Sequence, residues 1–527
     1  MPNEGPAVRL AEVVGTLSLA TDLGLGQAFH QGLRSNVLAV RLAYLLGFDE
    51  EQLLEAYYLP TLRFVGCTAD SGALNKFFGN ELTADTRLIP LQSASHAAMV
   101  RFTLGHVGAH RGFPARAGLV LSAMATSKRQ IEASDRAHCE VSRVIASRLG
   151  FGPRVQHAVG QAFERWDGKG DPGHVKGDDI DAAMRVAHLA YAATMFEMSE
   201  GRKAALEMAR DRAGSAFDPH MVDMLVAHAD EVFATNDDVS VWDEAMDAEP
   251  GEPVVLTPDE LDEALRIVAD FVDLKSLHMA AHSTRVSELA GATAATLGMA
   301  PHDERSIRHA GLLHDIGRVG VSNVVWNKPD RLEVDEWEQV RLHTYYTERI
   351  LSHAGALASL ADLAAAHHER LSGDGYHRRL AGPAIEPGER ILAAADMYVA
   401  LTSPRCHRPA LDRRGAVAEI EKSIRRGRLD ATTAEAVIDA AIARRAPVAS
   451  ADESFFGEHV DGLTDREVEL LRLIALGRNR KVIAGGWGDS VKAVDATTDS
   501  AYRKIDVSTR AAATMFAMQH RLVSAAS

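Results

Sequence analysis

Apolar residues recur along this chain at the three- and four-residue spacing of helices. "LRSNVLAVRLAYLLGF" (33–48) predicts an amphipathic helix, and residues 1–245 as a whole read as helices. Between 236 and 258 the pattern breaks into "NDDVS" and "DAEPGEPVVLTPDE", where acidic residues with Pro and Gly predict a linker. Thr257-Pro258-Asp259-Glu260 then reads as a helix start, with Thr as the cap, Pro at the first helical position and Glu three residues on. A second interruption, "PVASADESFFGEHVDG" (447–462), precedes a last helical stretch. There "LTDREVELLRLIALGRNRKVIA" predicts a capped helix, a Gly turn and a second helix, and the remainder predicts two more. The expectation is an all-α chain in three parts: 1–245, 256–446 and 458–527.

Composition narrows this. The 527 residues are 46% hydrophobic and 25% charged, ordinary for globular domains with real cores, and three domains suit the length. Three cysteines, Cys67, Cys139 and Cys406, with no Cys-x-x-Cys, argue against a disulfide framework or a Cys zinc site and suit a reducing cytoplasm. No apolar run has the length of a membrane span, and Met1–Leu10 lacks a signal pattern, so a cytoplasmic protein without membrane attachment is expected. The net charge of −16 argues against non-specific binding of the whole protein to DNA or anionic membrane, so any DNA contact must come from one local surface.

Candidate chemistry concentrates between His278 and Asp396. That stretch holds His282, the pair His314-Asp315, His343, the pair His367-His368, and Asp396. Imidazole and carboxylate suit Zn, Fe and Mn. The pair His314-Asp315 follows the apolar run Ala310-Gly311-Leu312-Leu313, which predicts the inner end of a buried helix. A lone histidine there would be a satisfied core residue; seven candidate ligands in such contexts are not scattered surface groups. Helical spacing also lets His278 face the same pocket as His282.

The order H…HD…H…HH…D resembles the HD superfamily of metal-dependent phosphohydrolases, and its HD-GYP branch in detail. The strings "HSTRVSELA" (282–290), "AGLLHDIGRVG" (310–320), "HHERLSGDGYH" (367–377) and "RILAAADMYVALTSPRCHRPAL" (390–411) carry it. The resemblance implies a helical core, two or three divalent transition metals with Fe or Mn first, and hydrolysis of cyclic di-GMP. It implies His282, His314 and Asp396 on one metal and His343, His367 and His368 on the other, with Asp315 bridging. Arg318 stands where the family's lysine supplies a cation beside the phosphate, making Asp315 and Arg318 the catalytic candidates. Arg keeps the charge but binds phosphate in a fork. Tyr376 is implied to pack near a base, and Arg405 and Arg408 to hold phosphate. In Gly375-Tyr376-His377 a histidine replaces the family's proline, which predicts a less rigid loop. Val399 replaces a usual second aspartate.

The first part reads as a worn copy of the second. An offset of 251 aligns Gln31 with His282, Arg63-Phe64 with His314-Asp315, and Gly66 with Gly317; an offset of 205 aligns His138 with His343 and Tyr191 with Asp396. "FERWDGKG" (163–170) resembles the family string without its histidines. Only His138 survives of the ligand positions, and Phe64, Phe163 and Tyr191 would fill the hole. The last part resembles the LuxR-type helix-turn-helix, opening at Leu463 to Glu467, with a DNA-reading helix at about Ser490 to Lys504. Its ten basic residues barely exceed nine acidic ones, leaving Lys492, Arg503 and Lys504 as candidate phosphate contacts. Weak DNA binding by a monomer and useful binding by a homodimer follow. The expected function is a cyclic di-GMP phosphodiesterase joined to a transcription-regulator module. The alternatives are a regulator that senses metal or nucleotide without turnover, and a phosphohydrolase of another nucleotide.

Overall fold

The computed structural model describes residues 7–70, 80–82, 105–107, 115–236, 238–276, 278–444 and 462–523. Among them the structure is helical; β pairing is limited to isolated bridges such as Arg9–Val255. The chain forms two compact units, Met1–Ala264 with Ser322–Val324 and His353–Leu357, and Leu265–Val321 with Val325–Ser352 and Ala358–Ser527. No helix among the described residues is long and apolar enough to cross a membrane.

The first unit is built on α1 (Leu10–Gly24), α2 (Gln31–Leu45), α3 (Glu50–Leu62), α4 (Ala115–Arg148) and α5 (Ala182–Glu200). Asp49 and Gln52 cap the start of α3 reciprocally. The 33–48 spacing predicted a half-exposed helix, but α2 is buried on several faces, polar Gln31, Ser35 and Asn36 included. The reason is that α2 packs against both α3 and α5. Its buried Asn36 stays satisfied through the Thr61 hydroxyl. Gly66, just past α3, lies so close to α4 that a Cβ there would stand 2.1 Å from the His138 carbonyl oxygen.

The second unit uses α6 (Pro258–Asp273), α7 (His282–Thr296), α8 (Pro301–Leu313), α9 (Val334–Leu351), α10 (Pro387–Leu401) and α11 (Ala431–Ala443), α6 beginning just before the unit boundary. Thr257 and Glu260 cap α6 reciprocally at 2.8 and 3.4 Å, where the sequence placed that start. Helix α7 is the centre of the unit, packed by α8, α10 and α11. Gly311 permits the α7–α8 approach, since a Cβ there would be 2.7 Å from the Ser287 Cα. Gly317 permits the short turn after α8 to lie on α9: its Cβ would be 2.1 Å from the His343 carbonyl oxygen and 2.4 Å from the Thr347 nitrogen. One expectation is corrected here. His278 is not on the same helix as His282, because α7 starts at His282 behind a left-handed Ala281 (φ 57°), so helical spacing does not relate the two.

Four further helices close the chain: α12 (Asp465–Ala475), α13 (Arg480–Trp487), α14 (Val491–Lys504) and α15 (Arg510–Gln519). Thr464, Asn479, Ser490 and Thr509 cap them in turn. They share a core of Leu463, Leu470, Leu471, Ile483, Val494 and Phe516. Yet they cluster with the second unit, because α15 is buried from Ala511 to Met518 on every face, and the Met518 sulfur accepts from the Ala281 amide at 3.4 Å. The second interruption seen in the sequence falls outside the described residues, apart from Gly462.

Candidate metal centre

Each candidate ligand sits where the local sequence forces it inward. His282 opens α7. The apolar end of α8 draws His314 and Asp315 to the junction with the short 3-10 turn Ile316–Gly320. His343 lies within α9, His367 and His368 in the turn Ala366–His368, and Asp396 within α10. All but His368 are buried. The Nδ1 atoms of His314, His343 and His367 each meet the backbone carbonyl three residues back, those of Gly311, Val340 and Ala364. A carbonyl can only accept, so each Nδ1 carries the proton and each Nε2 presents a lone pair to the interior.

Asp315 stands between two groups of these atoms. Its Oδ2 is 3.5 Å from His314 Nε2 and 3.7 Å from His282 Nε2, and its Oδ1 is 3.5 Å from His343 Nε2 and 3.6 Å from His367 Nε2. Asp396 Oδ1 is 3.1 Å from His282 Nε2 and 3.9 Å from His314 Nε2, while its Oδ2 is 3.8 Å from His368 Nδ1. Burial pushes His282 down to about 4 and His343 to about 3, and lowers His314 and His368 as well. Burial would push the Asp315 carboxyl up, but His314 and Arg318 beside it hold it well below the usual carboxylate range. Burial likewise opposes ionisation of Asp396, and its hydrogen bond with His282 outweighs it. His367 goes the other way: burial would lower it, but its hydrogen bond with Asp315 raises it. The other imidazoles, held neutral beside ionised carboxylates, are in the ligating form.

Two observations test whether divalent cations fit. The Nε2 atoms of His343 and His367 face each other at 3.1 Å, although both Nδ1 atoms already hold the proton. The His314 Nε2, fully buried, has no hydrogen-bond partner. A lone pair left without a partner in a dry interior, as at His314 Nε2, is costly unless a cation takes it up, and between His343 and His367 a cation would take the place of the proton that Asp315 favours on His367. The donor atoms of His343, His367 and His368, and those of His282, His314 and Asp315, each lie within 4.8 Å of one another. The residues therefore fit two metal positions, and among the described residues both groups belong to the second unit.

The surrounding candidates divide. Arg318 reaches Asp315 Oδ2 at 3.4 Å and stacks 3.7 Å above the Trp326 ring, whose Nε1 donates to the Arg318 carbonyl. The Tyr376 ring lies 4.4 Å from His368. Arg405 donates to the His278 carbonyl at 3.5 Å; burial and the Arg318 charge push it down to about 10. Arg408 donates to the carbonyls of Ala400, Leu401 and Ser403, closing the end of α10. At the end of the helix such carbonyls lack intrahelical partners, and the guanidinium satisfies them. The loop expected to be loose is also held. His377 meets the Thr344 hydroxyl at 3.0 Å and Glu348 at 2.6 Å, which ties the loop to α9 without a proline. Sequence reasoning passed over Trp326, Thr344 and Glu348. It also passed over Asp273, which accepts from the amide and hydroxyl of Ser283 at 2.9 Å and so fixes the start of α7. A signal existed for the last: Asp273 and Asp22 precede His282 and Gln31 by the same interval.

In the first unit the matching positions meet without a carboxylate among them. The Phe64 and Tyr191 rings are 4.4 Å apart and those of His138 and Phe163 4.9 Å apart, while Arg63 stacks 4.6 Å from Phe64 and donates to the Ala162 carbonyl. His138 Nε2 lies 2.6 Å from the Arg63 carbonyl. In the C-terminal helices Lys492 and Arg503 are exposed. Lys504, also exposed, is engaged with Glu467 at 2.7 Å and the Gly462 carbonyl at 3.1 Å, and Asp495 is paired with Arg480 at 2.9 Å.

The HD-domain family profile matches residues 266–433, the span that contains this centre. Among curated proteins, the 3'3'-cGAMP-specific phosphodiesterase 3 of Vibrio cholerae serotype O1 is 27% identical over 418 residues, 79% of this chain and 91% of that protein. The 3'3'-cGAMP-specific phosphodiesterase 1 of the same organism is 31% identical over 172 residues, 33% of this chain and 40% of that protein. A cyclic di-GMP phosphodiesterase of Thermotoga maritima is 34% identical over 165 residues, 31% of this chain and 45% of that protein. Among solved structures, a cyclic GMP-AMP specific phosphodiesterase of V. cholerae superposes with a TM-score of 0.56 at 24% identity, covering 83% of this chain and 98% of that one. That likeness speaks for the fold.

Proposed function

We propose that the chain is a metal-dependent phosphohydrolase whose substrate is a 3'3'-linked cyclic dinucleotide. The observation that carries this reading is the position of Asp315, one buried carboxylate between two donor groups, with Arg318 beside it. Cyclic GMP-AMP comes first because the relative named for it aligns over nearly its whole length; cyclic di-GMP, named for a shorter match, comes second. In this reading His282, His314 and Asp396 hold one metal, His343, His367 and His368 the other, and Asp315 both. Fe or Mn is the metal we expect from this ligand set. Bound there, two divalent cations would supply an activated water and neutralise charge at the phosphate. Arg318, braced by Trp326, gives a fixed cation beside the phosphate, Arg405 a second, and Tyr376 a ring for a base to pack on. Water adds across one P–O bond, and the ring opens to a linear dinucleotide that ends in a phosphate monoester.

We further infer that residues 1–245 are a worn copy of this domain in which Arg63 and three aromatic rings replace the metals, and that they serve dimerisation or regulation. The last four helices we read as a LuxR-type DNA-binding module that works in a homodimer. Incubation of Mn- or Fe-loaded full-length protein with cyclic GMP-AMP, cyclic di-GMP and linear dinucleotide controls, followed by product analysis, tests the substrate. A linear dinucleotide from either cyclic compound is expected. Binding of the cyclic compound without turnover would leave the sensor alternative, and hydrolysis confined to other nucleotides would overturn the substrate class.

A further inference from the structure

A cavity of about 10 Å³ lies inside the first unit, between α1, the start of α2 and the end of α3. Its walls include Ser18, Thr21 and Asp22 of α1, Gly32 of α2, and Phe64 and Tyr191. The three α1 residues are 1%, 4% and 2% exposed. Among the described residues Ser18 Oγ and Thr21 Oγ1 have no hydrogen-bond partner. A helical serine or threonine ordinarily returns its hydroxyl to the carbonyl four residues back, as Thr16 does to Glu12 at 2.7 Å. Ser18 and Thr21 do not, which leaves both hydroxyls to the cavity they line. Asp22 accepts from the Gly32 amide at 3.1 and 3.3 Å, and no lysine or arginine among the described residues pairs with it. Burial pushes its carboxyl well above the usual range, and the amides at the start of α2 only partly offset this.

The second unit fills the matching place differently. The offset of 251 sets Ser18 against Ala269, Thr21 against Val272, Asp22 against Asp273 and Gly32 against Ser283. There the Ser283 amide and hydroxyl each reach an oxygen of Asp273 at 2.9 Å, beside buried Ala269 and Val272. In the first unit a Cβ on Gly32 would stand 2.2 Å from Ser18 Oγ and 3.4 Å from Asp22 Oδ1, so the Ser18 hydroxyl holds the ground a residue-32 side chain would need. The first unit thus keeps the carboxylate, lacks its side-chain donor, and adds two hydroxyls where the second unit has apolar side chains.

We propose that this cavity holds one alkali cation, sodium or potassium, bound by the Asp22 carboxylate and the Ser18 and Thr21 hydroxyl oxygens. Oxygen ligands without imidazole or thiolate select a hard cation. One carboxylate balances one positive charge, whereas a divalent ion would leave charge uncompensated in a dry interior. The space takes a single water-sized particle, which excludes an organic ligand. Aromatic walls at Phe64 and Tyr191 suit a cation better than an anion. The ion ties α1 to the start of α2, as the Ser283 hydroxyl ties Asp273 to the start of α7.

The test is thermal unfolding of full-length, metal-loaded protein in potassium, sodium and tetramethylammonium chloride at matched ionic strength. At least one alkali salt should raise the melting temperature by about 2–4 °C over tetramethylammonium. Ser18→Ala and Thr21→Val install the residues with which the second unit packs the same place, so each should fold. Each should abolish the salt difference without lowering the melting temperature in tetramethylammonium, and Asp22→Asn should abolish it too. Crystals grown with thallium(I) acetate should show an anomalous peak in the cavity of the wild type and none in Thr21→Val. Equal melting in all three salts would mean that the cavity holds water only and would overturn the proposal. A salt difference that survives in Ser18→Ala and Thr21→Val would overturn it as well. None of these outcomes depends on what the second unit hydrolyses.

Discussion

Asp315 concentrates the chemistry of the chain in one side chain. Its two oxygens face different donor groups, which no imidazole could do. Asp315→Ala should lower metal in full-length protein from about two equivalents per chain to less than one, and hydrolysis by more than about a hundredfold. Elemental analysis beside product assay checks both, and a variant as fast as wild type would end the two-metal reading. Arg318 touches the carboxylate from outside, so Arg318→Lys should leave metal content unchanged while slowing hydrolysis about tenfold, since lysine lacks the flat fork that stacks on Trp326. His138 behaves differently. Burial, with the nearby Arg63 charge, pushes it down to about 4, and the Arg63 carbonyl bond only partly offsets this. An unfolded histidine titrates near 6.5, so between about 6.5 and 4 the unfolded chain binds more protons, and stability falls as pH drops through that window. His138→Gln should therefore gain on wild type below pH 6.5, by on the order of 2–3 kcal/mol at the acid end, in melting curves taken from pH 4 to 8. Parallel pH profiles would show that His138 does not titrate in this way.

At the scale of elements, the positions of glycine decide how closely helices meet. Gly317 and Gly66 stand in the same relation to α9 and α4, each with its missing Cβ 2.1 Å from a histidine carbonyl. Gly317→Ala must shift the turn that carries Asp315, and we expect a loss of about 1–3 kcal/mol together with loss of metal. Gly66→Ala should cost similar stability and leave metal content alone; equal metal loss in both variants would contradict the worn-copy reading. Helix starts such as Thr257 and Ser490 were legible because capping is local chemistry. The ligand positions were legible because a polar pair at the end of an apolar run stands out in sequence. What was not legible depends on partners distant in the chain. The Arg408 guanidinium turns to the end of α10, Lys504 to Glu467, and His377 to Glu348, and no spacing rule announces any of these. The burial of α2 was hidden for the same reason, since its polar positions find partners only after folding.

At the scale of the whole molecule, the question is whether a chain of net charge −16 can hold DNA through its last helices. Residues 458–527 carry ten basic and nine acidic groups, so affinity must come from the arrangement of charges. The structure changes which charges matter. Lys504 is spent on Glu467 and the Gly462 carbonyl, inside the module. Asp495 on α14 is balanced by Arg480, which would soften the repulsion that the sequence suggested. Lys492 and Arg503 remain exposed at opposite ends of α14. In the proposed DNA-binding reading, so few contacts per chain would require two chains on one duplex, the second module then binding at the effective concentration set by the first. Lys492→Ala and Arg503→Ala should each weaken a promoter-fragment shift uniformly across sequences, and each should flatten the salt dependence by about one phosphate per module. Lys504→Ala should lower the melting temperature of the module without changing that slope, since its charge never reached the phosphates. A full-length protein that binds as a monomer, or a Lys504→Ala slope reduced as much as that of Lys492→Ala, would refute this assignment. No shift by any form would leave the last four helices a protein-contact module.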